Sequence, residues 1–305
     1  MTSALWWAVM GVALGVGTPP VLRLMTRRGS DAAIVLAVWG FAVLTTTAAI
    51  AFPAFAQLLH LCGLTSPARG LGKWDVIAAT FSGGALVVAV ACGGWRWAGT
   101  VRQRRRLHDR HVQLSWLLTG RRPHRSATLW LPVGEPLAYS LSGRPALVVM
   151  SMGLRHCLDP AAVEAVQAHE RAHVRRRHHL LTGMAHAAAA GLGWLPLMRQ
   201  SPALVATLVE LDADACVARV HGRHGLRRAL QTLQASPAPA EALGMGALST
   251  DVRMARLSAP ISARPNGFAV ALAAGCTRLL AGGVVMLGVL ILWGLVSCPT
   301  GLGLP

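Results

Sequence analysis

The sequence predicts a polytopic α-helical membrane protein with a polar α+β domain inserted before its last membrane helix. Hydrophobic residues make up 53% of the 305 residues and charged residues only 13%, with a mean hydropathy of +0.48. Soluble proteins carry about 25% charged residues, so this composition indicates a chain that lies largely in lipid. The charge is unevenly placed, because ten of the twelve acidic residues fall between positions 100 and 265.

Four apolar runs are each long enough to span about 30 Å of hydrocarbon as a helix. We expect the first to be a retained anchor, because its basic residues follow the run, whereas a cleaved signal peptide has them at its start. Pro53 falls inside the second run, where it predicts a kink or an end. The four predicted membrane helices cover residues 4–22, 32–61, 76–95 and 279–298.

The arginines predict the orientation of these helices. The densest basic cluster, between Arg96 and Arg110, follows the third run, and basic residues collect in cytoplasmic loops. The domain after this cluster is therefore predicted to be cytoplasmic and the N-terminus external. We expect the cluster to orient the helices and contact anionic lipid rather than nucleic acid. The predicted domains are three membrane helices in 1–99, the cytoplasmic domain in 100–267, and the fourth helix with a short tail in 268–305.

Within the polar domain, residues 167–175 contain the pattern His-Glu-x-x-His. On a helix, His169 and His173 lie one turn apart on the same face, where two imidazoles can bind one metal ion. Glu170 then lies beside that metal and can take a proton from water whose pKa the cation has lowered. The pattern predicts a zinc hydrolase with Glu170 as its base.

The motif helix has a well-marked predicted start. Asp159 is placed as its N-cap and Pro160 at its first helical position, with Leu158 and Val163 spaced to form a hydrophobic staple. A small sheet is predicted before this helix, because short runs rich in β-branched and aromatic residues alternate with glycines. Its strands are expected at residues 128–132, 137–141 and 146–150.

The apolar run at 180–197 is not expected to cross the membrane, although about 18 residues would suffice. It is rich in alanine and glycine, and a crossing would put all later residues on the side of the bilayer opposite His169. We interpret it as the continuation of the motif helix, followed by a turn at 194–196. A second helix is predicted to begin at Ser201 and end near Gly222.

This second helix carries the candidates for the third protein ligand that a zinc site with two histidines needs. Glu210 and Asp214 lie one turn apart on one face, whereas Asp212 points away. We predict Glu210 as the ligand and Asp214 as a residue that holds a ligating histidine by a hydrogen bond. Glu241 and Asp251 are weaker alternatives. Five further histidines are expected at the surface or the lipid interface and not at the metal: His178, His179, His186, His221 and His224.

The stretch from Leu158 to Arg177, together with Glu210-x-x-x-Asp214-Ala215, resembles the membrane zinc metallopeptidases of the beta-lactam sensor and antirepressor type (BlaR/MecR-like). The resemblance implies a gluzincin fold, a Zn2+ site formed by His169, His173 and Glu210, and Glu170 as base. This sequence differs from that family at two points. The sensors carry an extracellular penicillin-binding domain after the fourth span, and no such domain is expected here. They also often carry an acidic residue where this chain has His178.

The predicted function is regulatory proteolysis by a membrane zinc metalloendopeptidase that faces the cytoplasm. The best-known members of the resembling family cut a winged-helix repressor, so the expected partners are such a protein substrate and the lipid bilayer. An edge strand near residues 138–142 is expected to pair with the extended substrate. Two alternatives remain open: an HtpX-like or CAAX-prenyl-like quality-control protease, and a non-proteolytic zinc-binding signalling scaffold. Direct nucleic-acid binding is not expected, because we find no recognition helix.

Overall fold

The computed structural model describes residues 3–61, 72–120, 127–235 and 250–258. The fourth predicted membrane helix and Glu241 lie outside the described residues. The described chain is mostly helical, with one small sheet. In chain order its elements are α1 (Ser3–Arg27), α2 (Ala32–Leu61), α3 (Lys73–Thr119), β1 (Ala127–Leu131), β2 (Ala138–Leu141), β3 (Leu147–Ser151), α4 (Met152–Cys157), α5 (Pro160–Arg175), α6 (His178–Leu192), α7 (Pro196–His221), α8 (His224–Ala235) and α9 (250–258).

Three described helices, α1, α2 and α3, are long and apolar enough to cross a membrane. The range of α2 is the predicted one, with Pro53 held inside the helix instead of ending it. The third span predicted at 76–95 lies within α3, which runs 47 residues and continues through the arginine cluster. Arginine is a good helix former, so the helix has no reason to stop where its apolar part stops. Apolar side chains on α3 such as Phe81, 77% exposed, are available to lipid.

The chain folds into two compact units. One contains α1, α2, the part of α3 up to Gly94, and the segment Ala188–Ser201, which joins α6 to α7. In this unit the indole Nε1 of Trp39 donates a hydrogen bond to Oγ of Ser201 at 2.7 Å. Leu195, in the turn between α6 and α7, is 1% exposed. A turn is therefore present where the sequence predicts one, at residues 193–195, with Leu195 buried and Trp194 55% exposed.

The second unit contains the rest of α3, the sheet, and the helices around it. The strands confirm the predicted ones to within one residue at each end. Their order is β1-β3-β2, with β1 parallel and β2 antiparallel to β3. The central strand β3 is buried along its whole length, and β2 lies at an edge.

Both faces of the sheet are covered. Val148 and Met150 of β3 pack against α4 and α5, with Leu154 in the same cluster. Val149, on the opposite face, packs with Val112 of α3. Because successive side chains of a strand point to opposite faces, a strand covered on both sides must be apolar throughout. This explains the uninterrupted apolar sequence of β3.

The motif helix α5 begins as predicted. Asp159 is its N-cap and accepts a hydrogen bond from the backbone N–H of Ala162 at 2.9 Å. Its end differs from the prediction, because α5 stops at Arg175 and a separate helix α6 begins at His178. Arg177 lies between them with a left-handed φ of 53°. The predicted continuation of the motif helix up to the turn at 194–196 was therefore wrong.

The second predicted helix is present as α7 but starts earlier. It begins at Pro196 rather than Ser201, with Pro202 inside the helix. It ends at His221, and Gly222 follows with a φ of 73°, as the prediction of an end near Gly222 requires. Such a positive φ at the end of a helix is the conformation that glycine adopts at least cost. The 15-residue helix α6 is shorter than a membrane span.

Candidate active site and metal centre

Two helices of the second unit bring the three predicted ligands together. Helix α5 carries His169 and His173 on one face, and α7 carries Glu210. Nε2 of His169 lies 3.0 Å from Nε2 of His173 and 3.2 Å from Oε2 of Glu210. Oε1 of Glu210 lies 3.5 Å from Nε2 of His173. Within the part of the chain that the structure describes, these three residues form the group that could hold a metal ion.

The spacing of these donor atoms fits a zinc ion. Zinc binds four ligands in a tetrahedron at about 2.0–2.2 Å, so two ligand atoms of one ion lie roughly 3.3–3.6 Å apart. The two ring nitrogens lie 3.0 Å apart, and each lies 3.2 or 3.5 Å from a different oxygen of Glu210. With one donor atom taken from each residue, the three atoms lie within 4.8 Å of one another. Two imidazole nitrogens and a carboxylate oxygen are also the donors of many catalytic zinc sites, which leave the fourth position to water or substrate.

The three ligands differ in charge before a metal binds. Burial lowers the pKa of His169, but its contacts with Asp214 and Glu210 outweigh burial and raise this pKa to about 9. Burial and the neighbouring charge of His169 lower the pKa of His173 to about 4. Burial raises the pKa of Glu210, yet its contact with His169 and the charge of Arg253 bring it down to about 2. At neutral pH the group therefore holds one imidazolium, one neutral imidazole and one carboxylate.

The structure places Asp214 behind His169. Oδ1 of Asp214 lies 3.0 Å from Nδ1 of His169, and both side chains are buried. The two atoms are within ion-pair distance, but Nδ1 of His169 has no hydrogen-bond partner by geometric criteria among the described residues. A carboxylate in this position favours a proton on Nδ1, which leaves Nε2 of His169 available to a metal.

Arg253 of α9 joins the two acidic residues of α7. Its Nε and Nη2 donate to the two carboxylate oxygens of Asp214 at 2.7 and 2.8 Å, and its Nη1 lies 3.0 Å from Oε2 of Glu210. Such a two-pronged pair fixes the carboxylate in orientation as well as in position. The sequence analysis missed Arg253, which follows a stretch without periodicity. Its neighbour Asp251, an alternative ligand in the prediction, is exposed and outside the metal group.

Glu170 lies next to His169 on α5 and interacts with β2. Burial raises the pKa of its carboxyl group, against the charges of His169 and Arg253 and a hydrogen bond with Ser140, which lower it. A raised pKa is useful in a carboxylate that must both accept and return a proton near neutral pH.

A second polar network lies behind His173. His178, predicted at the surface or lipid interface, is 2% exposed, and its Nδ1 lies 3.0 Å from Nδ1 of His173. Its Nε2 lies 2.9 Å from Oδ2 of Asp212, and Oδ1 of Asp212 lies 3.1 Å from Nη1 of Arg176. The one feature of the sequence that points to this network is His178, which stands where the BlaR/MecR-like family often has an acidic residue. The other four histidines that the sequence analysis placed away from the metal are also outside the metal group: His179, His186, His221 and His224.

A family comparison supports the chemistry that this geometry indicates. The model of peptidase family M48 matches residues 121–262, a range that includes the three metal-group residues and Glu170. No curated protein and no solved structure matches the chain. The match and the three apolar helices support a membrane-associated metallopeptidase that is similar to the generally zinc-dependent M48 family. This match does not test the more specific resemblance to BlaR/MecR-type sensors.

Proposed function

We propose that this chain is a membrane-anchored zinc metalloendopeptidase whose active site faces the cytoplasm. The observation that carries the proposal is the convergence of His169, His173 and Glu210 with Glu170 beside them. The arginine-rich half of α3 directly follows its apolar half, which supports the cytoplasmic placement. The proposed substrate is a cytosolic protein such as a winged-helix transcriptional repressor, which the resemblance to antirepressor peptidases implies.

The residues of the site have complementary roles in peptide hydrolysis. A zinc ion held by His169, His173 and Glu210 would supply Lewis acidity, which polarises a carbonyl group and lowers the pKa of water. Glu170 accepts the proton of the attacking water and delivers it to the leaving amine. Asp214 holds the ring of His169, and Arg253 holds the carboxylate of Glu210.

The position of β2 supports a binding mode for an extended substrate. In the described sheet β2 pairs with β3 on one side only, and an exposed strand edge can accept another strand by main-chain hydrogen bonds. Tyr139 of β2 contacts His111 of α3, whereas Ser140 interacts with Glu170 of α5. A peptide paired with β2 would therefore run beside the catalytic carboxylate.

The Glu170→Gln variant tests the mechanism. It removes the base and keeps the three ligands, so we expect zinc binding to persist and proteolysis to be abolished. Glu164→Gln is a matched control, because Glu164 lies on the same helix with a side chain that is 67% exposed. This control should cleave as the wild type does. Proteolysis by the Glu170→Gln variant would refute the role of Glu170.

The same variant can identify the substrate. Proteins captured on Glu170→Gln in native membranes should be those in which the wild-type chain creates new N-termini. A winged-helix repressor among them supports regulatory proteolysis. Misfolded membrane proteins would favour the quality-control alternative instead, and bound zinc without any new N-terminus would favour the signalling scaffold.

A further inference from the structure

We propose that His178 and Asp212 act as a positioning pair for the ligand His173, setting which ring nitrogen of His173 carries its proton. This inference rests on the zinc site of the proposed function. His178 does not itself face the ligand atoms, because its contact is with Nδ1 of His173, whereas the contacts of His173 with His169 and Glu210 are made through Nε2.

The hydrogen-bonding atoms allow one consistent arrangement of protons when Nε2 of His173 binds a metal. This nitrogen must then be without a proton, so Nδ1 of His173 carries one. A neutral His178 accepts that hydrogen bond through its own Nδ1 at 3.0 Å and therefore carries its proton on Nε2. The Nε2–H of His178 in turn donates to Oδ2 of Asp212 at 2.9 Å. Every proton along this path has an acceptor.

The pair is built into the core of the domain. The side chains of His178 and Asp212 are each 3% exposed. A carboxylate in such surroundings is costly unless charged or hydrogen-bonding partners compensate it. Asp212 has two such partners, His178 and Arg176, and is not in the metal group. Its burial is therefore explained by the support that it gives to His178.

The two histidine ligands are supported in different ways. His169 has the carboxylate of Asp214 directly against its Nδ1. His173 has a neutral ring in that place, and the carboxylate of Asp212 lies one ring further away. The geometry thus orients His173 without putting a carboxylate in direct contact with it. A residue at position 178 needs an acceptor atom at this point to preserve the arrangement.

Two substitutions separate this role from simple packing. In His178→Asn the side-chain oxygen can take the place of imidazole Nδ1, because both atoms are bonded to Cγ, so the acceptor for His173 is kept. His178→Leu fills a similar space without an acceptor. Zinc affinity of the full chain in detergent would be measured by competition with a chromogenic chelator. We expect an affinity about 10–100-fold weaker for His178→Leu, with most of this loss recovered in His178→Asn.

The comparison is decisive because His178→Asn offers an acceptor atom to His173 and His178→Leu does not. Wild-type affinity in His178→Leu would overturn the inference, and so would equal losses in both variants. Should His178→Leu not fold, Asp212→Ala provides an independent test, because it removes the acceptor for the Nε2–H of His178. We expect a loss of zinc affinity of about tenfold, and an unchanged affinity would overturn the inference. Thermal unfolding without zinc separates damage to the fold from damage to the site. A wild-type chain that binds zinc but cleaves nothing would refute the proposed function and leave this inference standing.

Discussion

Zinc binding at pH 6 is expected to release about one proton from the ligand group, and His169 is its source. Despite burial, Asp214 and Glu210 raise the pKa of His169 to about 9, whereas the pKa of His173 is lowered to about 4 and that of Glu210 to about 2. At pH 6 His169 is therefore the one ligand whose metal-binding nitrogen still carries a proton. A ligating nitrogen must lose that proton, so zinc binding and proton release are coupled.

These pKa values determine the sign and size of the pH dependence of zinc affinity. His169 has a raised pKa, so protons compete with zinc below about pH 9, and His173 joins the competition only below about pH 4. Between these limits the apparent affinity for zinc should strengthen about tenfold, or about 1.4 kcal/mol, for each unit by which the pH rises.

Calorimetry at pH 6 in two buffers of different ionisation enthalpy would count the released protons. The Glu170→Gln variant is the suitable protein, because Glu170 has a raised pKa and could otherwise add a proton of its own. At pH 6 ionisation of water at the zinc ion, whose pKa is about 7, contributes little. His224→Gln, which changes an exposed histidine outside the metal group, should give the same count. Release of no proton, or of two, would refute the charge assignment.

Three further substitutions test the support of the site. Arg253→Gln removes the guanidinium that Asp214 and Glu210 share, so the free energy of unfolding without zinc should fall by about 3 kcal/mol. With zinc bound the loss should be smaller, and equal losses would contradict this reasoning. Met150→Ala leaves a cavity at a fully buried position. The free energy of unfolding, measured by thermal unfolding, should fall by about 2–5 kcal/mol. A smaller loss would mean that the sheet collapses around the cavity. Asp159→Ala removes the N-cap and should cost about 1 kcal/mol, with faster hydrogen exchange in the first turn of α5 as its local sign.

The features that the sequence predicted correctly depend on near neighbours in the chain. A helix places residues four apart on one face, so the spacing of His169 and His173 predicts their closeness once α5 is known to be helical. The start of α5 follows from Asp159 and Pro160 in the same way. The strands were found from short runs of residues suited to a sheet. None of these inferences needed contacts between distant segments.

The missed features depend on contacts between distant segments or on unusual backbone. Arg253 reaches Asp214 across 39 residues, and His178 reaches Asp212 across 34. The break between α5 and α6 at Arg177 has a left-handed φ, which in a non-glycine residue is uncommon. No local pattern marks such a residue, so the sequence suggested one continuous helix.

The charges around the site explain why it contains so many acidic groups without becoming strongly negative. Each carboxylate behind a histidine ligand pairs with an arginine: Asp214 with Arg253, which also contacts Glu210, and Asp212 with Arg176. These pairs orient the rings of the ligands while nearly cancelling their own charge. Glu210 then remains as the carboxylate that acts on the metal directly. A cation bound there would keep most of its positive charge, and with it the ability to polarise a carbonyl group, which is the property that peptide hydrolysis requires.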